Sequence, residues 1–249
     1  MGDRIQRLNQ AAQDGNIDAF YVIIREDVKL LEPIDESPFV DTPLHRSASA
    51  GHIPFSIEMM KLRPSFISKP NPDGHTPICL ALRNGHTEMV RQLLQHNADL
   101  VRVKGRECMT PLHYTATTIG REGLTPPHYE AETKDYLALL ENILSVCSDS
   151  ITDVTTRNET ALHTALKNTN LEAFKFLVGW LLRKWPDWRK ILEQKDVEGN
   201  TILHIAVSIN QPGAISENQK QASSLISLVM IFNSKLTSTS NRKNQQTST

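Results

Sequence analysis

The 249-residue sequence lacks the marks of a disulfide framework, a nucleic-acid binder or a membrane span. Its three cysteines, Cys79, Cys108 and Cys147, are few and odd in number, which favours reduced thiols in a reducing compartment. The net charge of -1 provides no basic excess to neutralise phosphates. The longest apolar run, Leu225 to Phe232, is far shorter than the roughly 20 residues that span a bilayer. These absences predict a cytoplasmic protein.

What the sequence contains is an internal repeat. The motif Thr-Pro-Leu-His at position 42 returns, with substitutions, at positions 76, 110, 160 and 201, in steps of 34, 34, 50 and 41 residues. An earlier unit lacks the Thr-Pro start, but residues 8–16 align with residues 44–52. The repeat signature comprises Thr42, Pro43, His45, Thr76, Pro77, Thr110, Pro111, His113, Thr160, His163, Thr201 and His204.

Each unit carries the signals of two consecutive helices. Threonine is a good helix N-cap, and proline is tolerated at the first helical position because its missing N–H costs nothing there. A glycine such as Gly51 then ends the first helix, since glycine readily adopts the left-handed conformation. A second apolar stripe at helical spacing follows, as at Met89, Val90, Leu93 and Leu94. The pattern predicts helix pairs joined by turns.

This pattern resembles the ankyrin repeat, in which a β-turn precedes two antiparallel helices that open with Thr-Pro-Leu-His. The resemblance covers about residues 5–210 and implies an all-α solenoid of about six helix-pair units with hairpin loops, the last unit degenerate. It implies an ankyrin-repeat domain at 1–210, with units starting near 6, 42, 76, 110, 160 and 201. A degenerate capping helix at 211–236 and a disordered tail at 237–249 are expected to follow.

Finer features resemble plant ankyrin proteins of the accelerated-cell-death type, which act in immune signalling. Members of that group continue into several membrane helices, whereas this sequence loses the repeat after Asn210 and ends in a polar tail. We therefore expect a truncated or alternative form without a membrane region. The residues that carry this resemblance are Pro64-Ser-Phe-Ile67, Asn71-Pro-Asp-Gly74, Asp99 to Arg106, Val154 to His163, Val178 to Arg183 and Asp196 to His204.

A local duplication accounts for the 50-residue step. The decapeptide that starts at Gly105 is echoed fifteen residues later, from Gly120, with seven of ten positions identical. Without the fifteen residues the step is 35, close to the neighbouring 34. Because Pro127 would fill the core position poorly and lacks an N–H, we predict that Pro111 to about Thr118 forms the helix. Ile119 to about Glu132 is then predicted to loop out.

The recurring histidines invite a catalytic or metal-binding hypothesis. They lie one repeat apart, so a solenoid spaces them too widely to share one metal ion. We favour a structural role, in which each histidine hydrogen-bonds within its local loop or to the next unit. No Gly-rich phosphate loop, nucleophile elbow or HExxH motif is present. The sequence therefore predicts no catalytic residue, no metal site, no cofactor and no enzyme.

Two further segments leave alternatives open. Residues 183–190, with the sequence RKWPDWRK, combine basic and aromatic residues that could contact RNA or a membrane. We favour an extension whose two tryptophans pack against their neighbours. Residues 225–236 could form an interfacial membrane helix, but we favour a helix that caps the exposed end of the solenoid.

The resemblance also implies where partners bind. A solenoid of this kind has a concave face made by hairpin tips and the outward side of the first helices. Arginine and tyrosine are favoured binding anchors, and our preferred contacts are of these types. The predicted partner-binding residues are Arg46, Arg83, Asn84, Arg106, Tyr114, Arg157 and Lys167.

The resulting hypothesis is a non-enzymatic adaptor for protein–protein interaction in plant defence or stress signalling. Its expected partners are proteins, with no nucleic acid and no small-molecule cofactor, and it meets a membrane only through a partner or a longer isoform. One alternative is the truncated cytosolic half of a membrane-anchored ankyrin regulator. Another is an unrecognised enzyme or nucleotide binder.

Overall fold

The computed structural model describes residues 2–117 and 126–209, without the side chains of residues 126–132. These residues form thirteen α-helices and four short 3-10 helices, and no strand occurs among them. The α-helices are α1 (Gly2–Asp14), α2 (Ile17–Glu26), α3 (Glu32–Glu36), α4 (Pro43–Ala50), α5 (Ile53–Leu62), α6 (Pro77–Arg83), α7 (Thr87–His96), α8 (Pro111–Thr117), α9 (Pro126–Val146), α10 (Ala161–Lys167), α11 (Leu171–Lys184), α12 (Trp188–Leu192) and α13 (Ile202–Ile209).

The first helix of each unit begins at the residue after the repeated threonine. Helices α4, α6, α8, α10 and α13 all start in this way. Thr42 has extended backbone angles and its hydroxyl accepts the His45 N–H, which satisfies one of the free donors of the first turn. Gly51 ends α4 in the left-handed conformation, with φ of 81°.

The helices form two layers with the apolar core between them. The first helices α1, α4, α6, α8, α10 and α13 pack one on the next, and the second helices α5, α7, α9 and α11 form the other layer. Leu44, Leu112 and Leu162 of the first layer and Phe55 and Leu140 of the second are buried between them. The predicted helix-pair solenoid is confirmed.

The hairpin tips that precede the first helices are hydrogen-bonded from unit to unit. The Thr156 N–H donates to Glu107 O at 2.9 Å, and the Val197 N–H donates to Arg157 O at 3.0 Å. Asn71 lies in one of these tips but is only 4 % exposed. Its amide donates to the Asp41 carboxylate at 3.0 Å, so it joins two units. The tips are therefore held in place before any partner binds.

The prediction for the duplicated motif is half wrong. Pro111 starts α8 as expected, but residues 126–132 are helical and do not form a loop. The reason is that Pro126 and Pro127 lie in the first turn of α9, where the missing N–H groups cost nothing. Each copy of the motif thus starts a helix. Residues 118–125 lie outside the described part of the protein.

The basic and aromatic segment packs as an extension of the fifth unit. Trp185 and Trp188 are partly buried against the hydrophobic core, and Arg189 lies over the Trp188 ring at 5.4 Å. None of the described helices is both long enough and apolar enough to cross a membrane. The capping helix and tail that we predict at 211–249 fall beyond the described residues.

Candidate functional site

In the four units that carry both the signature threonine and the signature histidine, the two side chains are hydrogen-bonded to each other. In the second unit, Thr42 Oγ1 lies 2.8 Å from His45 Nδ1, and the Thr42 N–H also donates to Nδ1. Nδ1 is therefore an acceptor, the proton is on Nε2, and Nε2 donates to His75 O at 3.1 Å. The pair Thr110–His113 also lies at 2.8 Å, while Thr160–His163 and Thr201–His204 lie at 2.9 and 2.7 Å.

Burial keeps His45, His113 and His163 neutral. Desolvation lowers the pKa of His45 to about 4 and lowers the pKa of His113 and of His163 in the same direction. His113 Nε2 donates across the longest repeat to Glu159 O at 3.1 Å. His163 faces the equivalent carbonyl of Asn200, but its Nε2 has no partner within hydrogen-bond geometry. The rings of His45 and His113 therefore link consecutive units.

A different polar cluster lies on the outer side of the third and fourth units. His75 Nδ1 lies 3.1 Å from Tyr114 Oη, and the two rings meet edge to face with centroids 6.1 Å apart. Both side chains are buried. Gly105 closes the cluster, because a Cβ at that position would lie 3.1 Å from Cys79 Sγ and 3.4 Å from Tyr114 Oη.

Two exposed arginines flank this cluster. Arg83 ends α6, one helical turn after the buried Cys79, and Arg106 follows Gly105 in the next hairpin tip. Arg106 packs beside Gly74, where an added Cβ would lie 3.4 Å from Arg106 Cβ. The two guanidinium groups come from different units, and both lie close enough to the buried His75–Tyr114 pair for their charges to affect the pKa of both groups.

The electrostatics of the cluster favour binding over chemistry. Burial lowers the pKa of His75, and the charges of Arg83 and Arg106 lower it further. Burial also raises the pKa of Cys79 to about 11, so this cysteine is protonated and unreactive near neutral pH. Burial raises the pKa of Tyr114 as well. The site presents the positive charges of Arg83 and Arg106, and Arg106 Nε lies 3.9 Å from the exposed carboxylate of Glu107. Among His75, Cys79 and Tyr114 it holds no exposed nucleophile or base.

Tyr114 does not lie where the sequence placed it. We expected it to contact a partner, but its side chain is 5 % exposed. The reason is its hydrogen bond to His75, which draws the ring under the hairpin tip. Tyr114 therefore supports the surface formed by Arg83 and Arg106 and does not form that surface itself.

Arg157 and Lys167 belong to an ion network. Lys167 Nζ lies 2.7 Å from Glu159 Oε1 and 2.8 Å from Asp196 Oδ2, and both carboxylate residues are buried. Arg157 pairs with Glu198 at 2.8 Å. Since these charges are already matched within the protein, the network joins the fifth and sixth units and has less to offer a partner.

The two remaining predicted residues lie nearer the N-terminus. Asn84 is exposed, and its amide donates to both the carbonyl and the hydroxyl of Ser49, at 2.8 and 2.7 Å. This contact ties the third unit to the second. Arg46 is half-buried between α1 and α4. We call the surface made by Arg83, Asn84 and Arg106 the arginine face.

His75, which connects three units, is absent from the residues predicted from the sequence. Its ring bonds to Tyr114 of the fourth unit, and its carbonyl accepts from His45 of the second. His75 immediately precedes the signature Thr76, where Glu159 precedes Thr160 in the fifth unit. The residue before the signature threonine supplies the carbonyl that accepts from the histidine of the preceding unit. The fixed place of this residue in the repeat is the sequence signal that could have identified His75.

A stack of helix pairs with capped first helices and bonded hairpin tips defines a helical repeat protein of the binding type. A family model described as ankyrin repeats, in three copies, matches residues 8–102, 57–126 and 127–216. These ranges cover most of the sequence, so the protein belongs to the ankyrin-repeat family.

One relative agrees with this family, and one solved structure shares the fold. The ankyrin repeat-containing protein BDA1 of Arabidopsis thaliana is 37 % identical over 68 residues, which are 27 % of this chain and only 16 % of that relative. A similar solved structure is the Bd0816 predatory endopeptidase from Bdellovibrio bacteriovorus in complex with immunity protein Bd3460. It matches with a TM-score of 0.60 and 21 % identity, over 88 % of this chain and 96 % of that one. At that identity the likeness concerns the fold alone.

Proposed function

We propose that this protein is a non-enzymatic adaptor that binds a protein partner through the arginine face. The observation that carries this proposal is the placement of Arg83 and Arg106, both exposed, close to the buried His75–Tyr114 pair. Arginine is enriched among residues that dominate binding energy, because its planar guanidinium forms several directed hydrogen bonds. Two such groups on a rigid support fit an acidic patch of a partner.

Rigidity of the arginine face supports the same proposal. Arg106 lies in a tip whose Gly105 N–H donates to Met109 O at 2.9 Å and whose Glu107 O accepts from the next tip. Asn84 is fixed by two hydrogen bonds to Ser49. A surface that is ordered before binding loses little conformational entropy when the partner arrives.

The setting of this adaptor is plant defence or stress signalling, in the cytoplasm. This finer assignment draws on the resemblance of several segments to plant immune-signalling ankyrin proteins. The partial match to an ankyrin repeat-containing protein of the plant Arabidopsis thaliana supports this assignment. The partner itself is defined only by its chemistry, an acidic protein surface.

Site-specific photocrosslinking tests the proposal. A photoreactive amino acid at position 84, within the arginine face, is compared with the same residue at position 184, at the exposed end of α11. We expect a protein partner to be crosslinked in plant cells from position 84 and not from position 184. Crosslinks from position 184 alone would show that partners bind the second-helix side, and the proposal would fail.

A further inference from the structure

An open cavity lies between α1 and α4, outside the arginine face. Its volume is about 310 Å³. Four of its lining side chains carry uncharged amides and one is a guanidinium, so the cavity is polar without being acidic. The lining residues used below are Ile5, Gln6, Asn9, Gln10, Gln13 and Arg46.

Arg46 lines this cavity without any partner among the described residues. Its Nε is buried and makes no hydrogen bond, and no carboxylate of the described residues pairs with its guanidinium. Exposed arginines need no such partner, but a half-buried one has lost part of its hydration. A positive charge in that state favours an anion from outside the protein.

Asn9 provides a second orphaned group in the same cavity. Its Oδ1 is buried and makes no hydrogen bond. Only four buried side-chain atoms of the described residues lack a partner, and two of them, on Asn9 and Arg46, line this one cavity. Buried polar atoms without partners are rare in folded proteins, so their coincidence needs an explanation.

The repeat alignment explains why Asn9 is free. Asn9 stands where the later units have the signature histidine, but no threonine precedes it in the first unit. It is therefore released from the capping role that His45 plays. A half-turn of its amide exchanges Oδ1 for Nδ2, which turns the buried acceptor into a donor.

We propose that this cavity binds a carboxylate of a protein partner, either an acidic side chain or a free C-terminus. Arg46 donates to it through its two terminal nitrogens, so that one guanidinium group meets both carboxylate oxygens. Asn9 Nδ2 donates the third hydrogen bond. Gln6 and Gln13 offer amides to the adjoining main chain, while Gln10 is already engaged with Asp14 at 2.9 Å. Ile5 supplies the apolar wall.

Nuclear magnetic resonance of the ¹⁵N-labelled 249-residue protein tests this site directly. The probes are sodium acetate, acetyl-tetraalanine with a free C-terminus, the same peptide amidated, and an amidated acetyl-Ala-Ala-Glu-Ala-Ala peptide. We expect saturable shifts of the Arg46 Nε–H and Asn9 side-chain signals at roughly millimolar concentrations with acetate. Tighter binding of the free-acid peptide would identify a C-terminus as the natural ligand, and tighter binding of the glutamate peptide would identify an acidic side chain. The amidated tetraalanine, which has no carboxylate, should leave both signals unchanged.

Matched variants separate binding from structure. Arg46→Gln should abolish the Asn9 shifts and leave the thermal midpoint within about 2 °C of the wild type, because the described residues give the guanidinium no hydrogen bond or ion pair to lose. Arg7→Gln is the control, since Arg7 lies on α1 but already pairs with Glu26 at 3.1 Å. This variant should titrate like the wild type.

Two results would overturn the proposal. One is the absence of any saturable shift with every carboxylate probe on the wild-type protein. The other is unfolding of Arg46→Gln at a clearly lower temperature together with unchanged Asn9 shifts in the folded fraction, which assigns Arg46 a structural role. Because the probes are small carboxylates and the site goes beyond the arginine face, neither result depends on whether a partner binds at Arg83 and Arg106.

Discussion

At the scale of single residues, the threonine and histidine side chains form a hydrogen-bonded pair in the four repeats that carry both. Thr110 Oγ1 lies 2.8 Å from His113 Nδ1, which leaves Nε2 to donate to the next unit. The helix start and the structural role of the histidine can be predicted from the sequence, because both depend on residues within the Thr-Pro-Leu-His motif itself. The acceptor, Glu159 O, is 46 residues away and follows only from the stacked structure.

Replacing His113 by alanine should destabilise the fold strongly. The change leaves a buried cavity and orphans the Glu159 carbonyl, so we expect the free energy of unfolding to fall by about 3 kcal/mol. Urea denaturation measures this loss. His204→Ala is the matched control, because His204 keeps the threonine contact but is exposed, and it should cost less than half as much. Equal losses would contradict the role of His113 as a link between units.

The stability of the protein should fall in mild acid. The pKa of His45 is about 4 in the folded state, against 6.5 in the unfolded state, so the unfolded state binds more protons between these values. Stability is therefore complete above pH 6.5 and decreases as the pH falls to about 4, by on the order of 3 kcal/mol for this ring. Histidine ring signals in nuclear magnetic resonance report the titration. A midpoint near 6.5 for His45 in the folded protein would contradict this account.

At the scale of elements, the duplicated motif shows the limits of sequence reasoning. A Thr-Pro pair signals a helix start wherever it occurs, and both copies are followed by a helix: α8 begins at Pro111 and α9 at Pro126. The core position of the first helix explains why the first copy starts α8, whereas the second copy starts the second helix of the same unit. The result is that α9 has 21 residues, whereas its counterpart α7 has ten.

The early turns of α9 should be dispensable for folding. Deleting residues 119–134 and changing Asp135 to glycine restores a 34-residue step and the glycine found at Gly51 and Gly85. We expect cooperative unfolding with a thermal midpoint within about 4 °C of the wild type, and a loss of helical circular dichroism. Deletion of residues 135–150, which removes the buried Tyr136 and Leu140, is the control that should not fold. Loss of folding in both variants would refute the dispensable role.

At the scale of the whole molecule, contacts between units decide which of the predicted partner-binding residues remain available to a partner. The sequence shows which positions face outward from a first helix, because that follows from helical periodicity. It does not show that Tyr114 is drawn under a hairpin tip or that Lys167 is claimed by Glu159 and Asp196. Those outcomes depend on partners as far as 29 and 39 residues away. Arg83 and Arg106 keep their predicted exposure.

Lys167 should be more important for stability than for binding. Lys167→Met leaves two buried carboxylates facing each other, so we expect the free energy of unfolding to fall by about 2 kcal/mol. Lys175→Met is the control, since its pair with Glu172 lies on the surface of α11 and should contribute little. Chemical denaturation compares the two variants. Similar small losses would show that the network does not couple the fifth and sixth units.

The dissociation constant of the captured partner tests the central claim most directly. It is measured for the wild type, for the double variant Arg83→Ala with Arg106→Ala, and for the control Arg183→Ala with Lys184→Ala at the exposed end of α11. We predict that the arginine-face variant binds at least about 30-fold more weakly, as expected from losing two anchors of roughly 1 kcal/mol each or more. The control should bind within about twofold of the wild type. Unchanged affinity of the arginine-face variant, with its fold intact, would contradict the account.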